Sequence, residues 1–161
     1  MVVLRERKCY DVMVSNPLLI HEKNSHMNPI GAHCAYQKLD TGIREFTFLE
    51  KSPDAVDEWL RHLDRIMVND PPQTGVKELL LIDIRQYVPG AVYAARRLHA
   101  WRQDYDVDDA NTRTAVVIAK QSQMVLSVAG TVIRIAGLED IKLRFFNNDH
   151  QKAIDWLLSQ R

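Results

Sequence analysis

Between Glu78 and Asp83 stand four consecutive apolar residues, Leu79, Leu80, Leu81 and Ile82. Side chains alternate across a β-strand, so a run of this kind cannot sit on a sheet with one wet face. It needs cover on both sides, as in the central strand of a parallel sheet flanked by helices. Asp83 and Arg85 follow where that strand leaves the core, and Pro89-Gly90 opens the next helix. In open α/β sheets, ligands and partners are met in the crevice at the carboxyl ends of the strands. A site is therefore expected over Asp83 to Gly90.

The remaining elements arrange themselves around this strand. His33–Leu39 and Ile43–Leu49 read as an antiparallel hairpin, with Asp40-Thr41-Gly42 supplying the turn. Alternation in the second arm predicts a half-buried strand with Phe46 and Phe48 facing inward. Ser52-Pro53-Asp54 gives three agreeing helix-start signals: a capping hydroxyl, a proline whose missing N–H costs nothing, and a carboxylate at the positive helix end. Val56, Trp59, Leu60, Leu63, Ile66 and Met67 then recur at steps of three and four, until Asn69-Asp-Pro-Pro72 stops the helix. A second helix is expected from Gly90 to about Tyr105, with Ala91, Ala94, Ala95, Leu98, Trp101 and Tyr105 on its core face. Thr114–Ala119 reads as a third buried strand.

Met124–Ala136 is rich in Val and Ile and would suit strands by composition. Topology argues for a helix, because parallel neighbours need a long crossover that a hairpin cannot supply. Ser122 offers its N-cap and Gly137 its stop. Because this helix is apolar almost all round, its outer side is expected to pack on a second copy of the chain or on the amino-terminal extension, with the homodimer preferred. Ile141–Phe146 is the last strand, and Asn147 or Asn148 is expected to cap a closing helix. The fold class is therefore α/β: a mixed, largely parallel sheet opened by an antiparallel hairpin, with about four helices packed on it. Residues 1–31, interrupted by Asn24, Asn28, Pro29 and Gly31, form an irregular extension with room for one short strand; residues 32–161 form a single domain.

Lys plus Arg is 21 and Asp plus Glu is 21, so no net field draws in nucleic acid or an anionic membrane. No window approaches the ~18 apolar residues of a spanning helix. Cys9 and Cys34 are the only cysteines, and Arg5, Glu6, Arg7 and Lys8 leave no room for a signal-peptide core. A cytoplasmic protein is the expectation. His21, His26, His33 and Cys34 match no zinc spacing, and Gln73-Thr-Gly-Val-Lys77 lacks the first glycine and the Lys-Ser/Thr ending of a phosphate loop, so no metal or cofactor is expected.

The carboxyl third, Val132-Ile-Arg-Ile-Ala-Gly-Leu-Glu-Asp-Ile141 followed by Phe145-Phe-Asn-Asn-Asp-His-Gln-Lys-Ala-Ile-Asp-Trp-Leu157, resembles the STAS-like domains. That family includes the bacterial anti-sigma-factor antagonists (SpoIIAA-like proteins) and the cytoplasmic domains of sulfate transporters. Leu80-Leu-Ile-Asp-Ile84 and Gly90 resemble its central strand and the start of its switch helix, and the likeness covers about residues 33 to 160. It implies a small regulatory or binding module. The antagonists carry a phosphorylated Ser or Thr just before the glycine; here Tyr87, Val88 and Pro89 stand there, and no Ser or Thr occurs from Val76 to Asn111. The phospho-switch is not carried over.

What the residues themselves suggest at this edge is binding. Arg85 offers a charged donor, Gln86 a neutral one and Tyr87 an aromatic surface, while Pro89 and Gly90 lead into a helix amino terminus whose unpaired amides favour an anionic group. Lys120, Gln121 and Ser122 should end the neighbouring strand in the same crevice. Asp83 reads as an acceptor for backbone amides of a nearby loop. His99, nine residues beyond Gly90 on a helix, lies about 13 Å away and is too remote to act there as a base. The expected function is a non-enzymatic module that binds a protein partner or a small anionic ligand. A small enzyme using Asp83, Arg85 and Tyr87 is the alternative, and a purely structural dimerisation domain a third.

Overall fold

The computed structural model describes residues 28–29, 31–73, 75–105, 112–119, 123–137 and 142–159. The strands are β1 (Asn28–Pro29), β2 (Cys34–Lys38), β3 (Arg44–Phe48), β4 (Glu78–Asp83), β5 (Thr112–Ile118) and β6 (Lys142–Asn147). The helices are α1 (Pro53–Asn69), α2 (Ala91–Gln103), α3 (Gln123–Ala136) and α4 (His150–Leu158). All six strands form one sheet in chain order; β1, β2 and β3 pair antiparallel, and β3 to β6 run parallel. This is the α/β architecture expected from the sequence, with α3 helical as the crossover argument requires.

Strand order dictates where the helices go. Each parallel strand is added on the same side of the last, and crossovers are right-handed, so α1, α2 and α3 must lie on one face of the sheet. Phe46, Phe48 and the half-buried Leu80, Ile82 and Ile84 meet α1 and α2 there, and Ala95 of α2 meets Ala136 of α3. Helix α4 follows the last strand, escapes that constraint and covers the opposite face. Ile43, Leu79, Leu81, Ala115, Val117 and Phe146 pack there against Ala153 and Leu157.

Cover on both faces corrects the expectation for β3. Phe46 and Phe48 do face inward, but Glu45 on the other side is only 3% exposed, because α4 closes over a face that alternation alone marks as wet. Strand β5 is buried along its whole length.

Local signals act as read at α1, where the Ser52 hydroxyl accepts from the Ala55 amide at 3.2 Å with Pro53 behind it. Trp59 then stacks edge-on to Phe46 and Phe48, with centroids 6.4 and 5.8 Å away. Gly137 ends α3 at φ +64°, a left-handed backbone suited to glycine. Arg102 of α2 donates to the carbonyls of Ala136 and Gly137, capping that end from a neighbouring helix. At α4 the expected cap is displaced. Asp149, not Asn147 or Asn148, accepts the Lys152 amide at 2.9 Å, while Asn147 still belongs to β6 and Asn148 makes the turn at φ +53°.

The amino-terminal side is tied to α1 through Glu58, which accepts the His33 amide at 3.1 Å. The Glu58 carboxylate occupies the space a side chain on Gly31 would need. Burial, with help from the nearby Glu58 charge, pushes the Cys34 thiol up to about 12, so it stays protonated and unreactive.

Candidate functional site

Strand β4 keeps its register one residue past Asp83, since the Ile84 amide still donates to the Val117 carbonyl at 2.9 Å. The chain then turns back on itself. Asp83, 7% exposed, accepts the Arg85 backbone amide at 3.0 Å, Arg85 Nε at 3.0 Å and Arg85 Nη2 at 2.6 Å. Asp83 thus accepts a backbone amide of the loop that follows it, and the Arg85 side chain donates to it as well. Two residues at strand spacing share a face, and the turn after Asp83 folds the longer side chain onto the shorter.

A second ion pair lies beside this one. His150, at the start of α4, meets the buried Glu45 carboxylate at 2.6 Å, and Gln37 donates to the same carboxylate at 2.7 Å. The hydrogen bond to Glu45 raises the His150 pKa above the ordinary histidine value against the effect of burial, with Asp83 adding to the rise and Arg85 opposing it. Glu45, His150, Asp83 and Arg85 thus form one group of alternating charge on the α4 face. Its chemistry is that of a clasp, because each carboxylate already has close donors. Glu45 and His150 are 105 residues apart, so no local pattern could have revealed the pair.

Beyond Arg85 the loop is open. Gln86 is exposed, and Tyr87 and Val88 are 40% and 48% exposed. Pro89 is half-buried, and Gly90 caps α2 without a side-chain hydrogen bond. The first turn of α2 adds Val92 and Tyr93, 48% and 37% exposed. Tyr93 donates to Asp57 of α1 at 2.9 Å, and Arg97 reaches the same carboxylate at 2.8 Å, which fixes the start of α2 against α1. Residues 87–93 therefore present four large apolar side chains on a braced support. Sequence reasoning picked Tyr87 as a surface but missed Val88, Val92 and Tyr93; the signal available was that α2 has apolar residues beyond its alanine face. Lys120, Gln121 and Ser122 lie outside the described residues. His99 is exposed on α2.

Beneath this rim the sheet and helices do not close. A cavity of about 160 Å³ is lined, among the described residues, by apolar side chains, including Ile84, Val88, Pro89, Ala94, Val116 and Phe145. A second, of about 120 Å³, continues toward the amino-terminal edge of the strands, and the two share Trp59, Ile82, Leu98 and Leu143. The far end is stopped by Arg44, whose guanidinium pairs with Glu78 and donates to the Asp70 carbonyl at 2.8 Å. The cause is the small alanine face of α2, which leaves volume over a strand whose upward residues are only Leu and Ile.

Comparison with protein-family models, with curated proteins and with solved structures finds no match. Fold and site together define an α/β domain with an apolar rim at the carboxyl edge of its parallel strands. Among the described residues no helix is long and apolar enough to cross a membrane.

Proposed function

We propose that this chain is a non-enzymatic, STAS-like regulatory or binding module that engages a partner at the carboxyl ends of its parallel strands. The observation that carries the reading is the cluster of Tyr87, Val88, Val92 and Tyr93, all more than a third exposed on neighbouring loop and helix positions. Apolar side chains grouped on a rigid support mark a docking surface more often than scattered ones do. The adjoining charges favour binding over catalysis, since Asp83 and Arg85 are engaged with each other. Regulation through this loop works by occupancy, because the loop has no Ser or Thr to phosphorylate. The partner is a protein surface or a small ligand whose anionic group sits by the Arg85 guanidinium and the first amides of α2. A homodimer and a cytoplasmic setting belong to the same proposal, as does the absence of nucleic-acid binding expected from the balanced charge.

The test is a thermal-shift screen with metabolites, lipids and nucleotides, followed by backbone chemical-shift mapping of each hit. Shifts centred on residues 85–93, weakened by Tyr87→Ala or Arg85→Ala, are the expected outcome. Hits that map elsewhere and bind both variants as tightly as the native chain would place the site on another surface.

A further inference from the structure

We infer that the slot between the sheet and helices α1 to α3 is a binding site for one unbranched aliphatic chain, which enters past Val88 and Pro89. The inference deepens the reading of the rim and rests on it in one respect: the chain enters at the edge where the partner docks.

Shape comes first. The two cavities share Trp59, Ile82, Leu98 and Leu143, so they lie end to end. Ile84 lines the upper cavity and Glu78 the lower, and they stand six positions apart along extended chain, a span of about 20 Å. Volumes of about 160 and 120 Å³ spread over that length describe a narrow slot, too thin for a nucleotide, a sugar or a fused ring system.

Chemistry points the same way. Apolar cavities near 150 Å³ stay dry and take up small hydrocarbons, because water needs polar partners that such walls do not offer. Among the described residues the upper cavity has no polar lining, so a ligand with polar groups along its length would leave them without hydrogen bonds there. The polar lining of the lower cavity is Arg44, Glu78, Arg102, Thr112 and Thr114; the donors of Arg44 go to Glu78, Tyr36 and Asp70, and Arg102 donates to the Ala136 and Gly137 carbonyls. A carboxylate at that end would compete for donors already engaged. The polar end of the ligand therefore stays at the mouth, where Val88 is both a wall residue and 48% exposed, and the hydrocarbon end goes in first.

The test uses the full chain with sodium decanoate as probe and adamantane-1-carboxylate as control, which has the same charge on a compact cage. Unfolding is followed thermally. Decanoate should raise the midpoint by about 3–6 °C at ten times its Kd, and the cage acid should leave it unchanged. Ala94→Phe fills the upper cavity and Ala91→Phe blocks its mouth; whichever variant folds should lose the decanoate response at least tenfold in Kd. Tyr87→Ala and Tyr93→Ala alter the mouth of the slot and should weaken decanoate less than the filled variants do, while Val68→Ser, exposed on α1 away from rim and slot, should leave the response unchanged. Cosedimentation with phosphatidylcholine vesicles separates the two sources of such a chain: a free fatty acid leaves the protein in the supernatant, whereas the tail of a membrane lipid carries it down. No response to decanoate, an equal response to the cage acid, or full binding by the filled variant overturns the inference. A response lost in the rim variants but kept in the filled ones would place the chain on the docking surface, sparing the rim and sinking the slot.

Discussion

The two faces of the sheet are built from the same strands and yet differ in closure. On the α4 face Leu79, Leu81, Ala115 and Val117 are buried against Ala153 and Leu157, and Leu81 is fully inaccessible. On the other face Leu80, Ile82 and Ile84 come from the same strand and remain only half-buried, because they line cavities. One short helix with Ala and Leu at its contact positions lies close to the sheet. Three longer helices that also pack on each other leave cavities over the sheet, where α2 contributes Ala91, Ala94 and Ala95 beside Leu98. Closure gives stability on one side, and incomplete closure leaves room for a ligand on the other.

The largest test of this contrast is a pair of truncations one residue apart. Leu81→Ala should cost about 3–5 kcal/mol, since it opens a new cavity in a closed layer. Ile82→Ala removes a side chain that already borders a void, and should cost about 1–2 kcal/mol. Equal losses, measured by urea denaturation, would show that both faces are packed alike.

Next in size is the clasp that holds α4 down. His150→Ala leaves the Glu45 carboxylate buried with only Gln37 as donor, and should cost about 2–3 kcal/mol at pH 6. The dependence on pH has a definite sign. Because the folded-state pKa of His150 is raised, its contribution is fully present below the unfolded histidine value of about 6.5 and fades as pH rises through the folded value. The native chain should lose stability across that window, and His150→Ala should flatten the profile. A native profile as flat as the variant's would mean that the pair does not act as drawn.

The smallest effect has the opposite direction. Ala94→Leu adds volume where the open face lacks it and should stabilise the free protein by about 0.5–1 kcal/mol. Destabilisation would mean that the space over Ile82 is already filled.

Legibility from sequence followed the range of the interaction. The start of α1 is dictated by neighbours, Ser52, Pro53 and Asp54, and was readable residue by residue. Helix α3 was readable only through topology, since its Val and Ile content argues for strands. Asp83 and Arg85 were readable as a shared face, but which partner Asp83 takes depended on the turn that follows. The Glu45–His150 pair joins β3 to α4 across most of the chain, and burial of Glu45 follows from α4 crossing to the far face. The cavities had no sequence signal, because a void is set by how far three helices stand from a sheet and not by any one residue. The alanines of α2, expected on its core face, line the upper cavity.

The central claim is that apolar ligands enter one face of the sheet and not the other. Methyl chemical shifts during a decanoate titration report on it directly, because both faces carry Leu, Ile and Val methyls. Shifts should be confined to Ile82, Leu98, Val116, Val132 and Leu143, while Leu79, Leu81, Val117 and Leu157 stay fixed. Shifts spread over both sets, or absent from the first, would contradict the account.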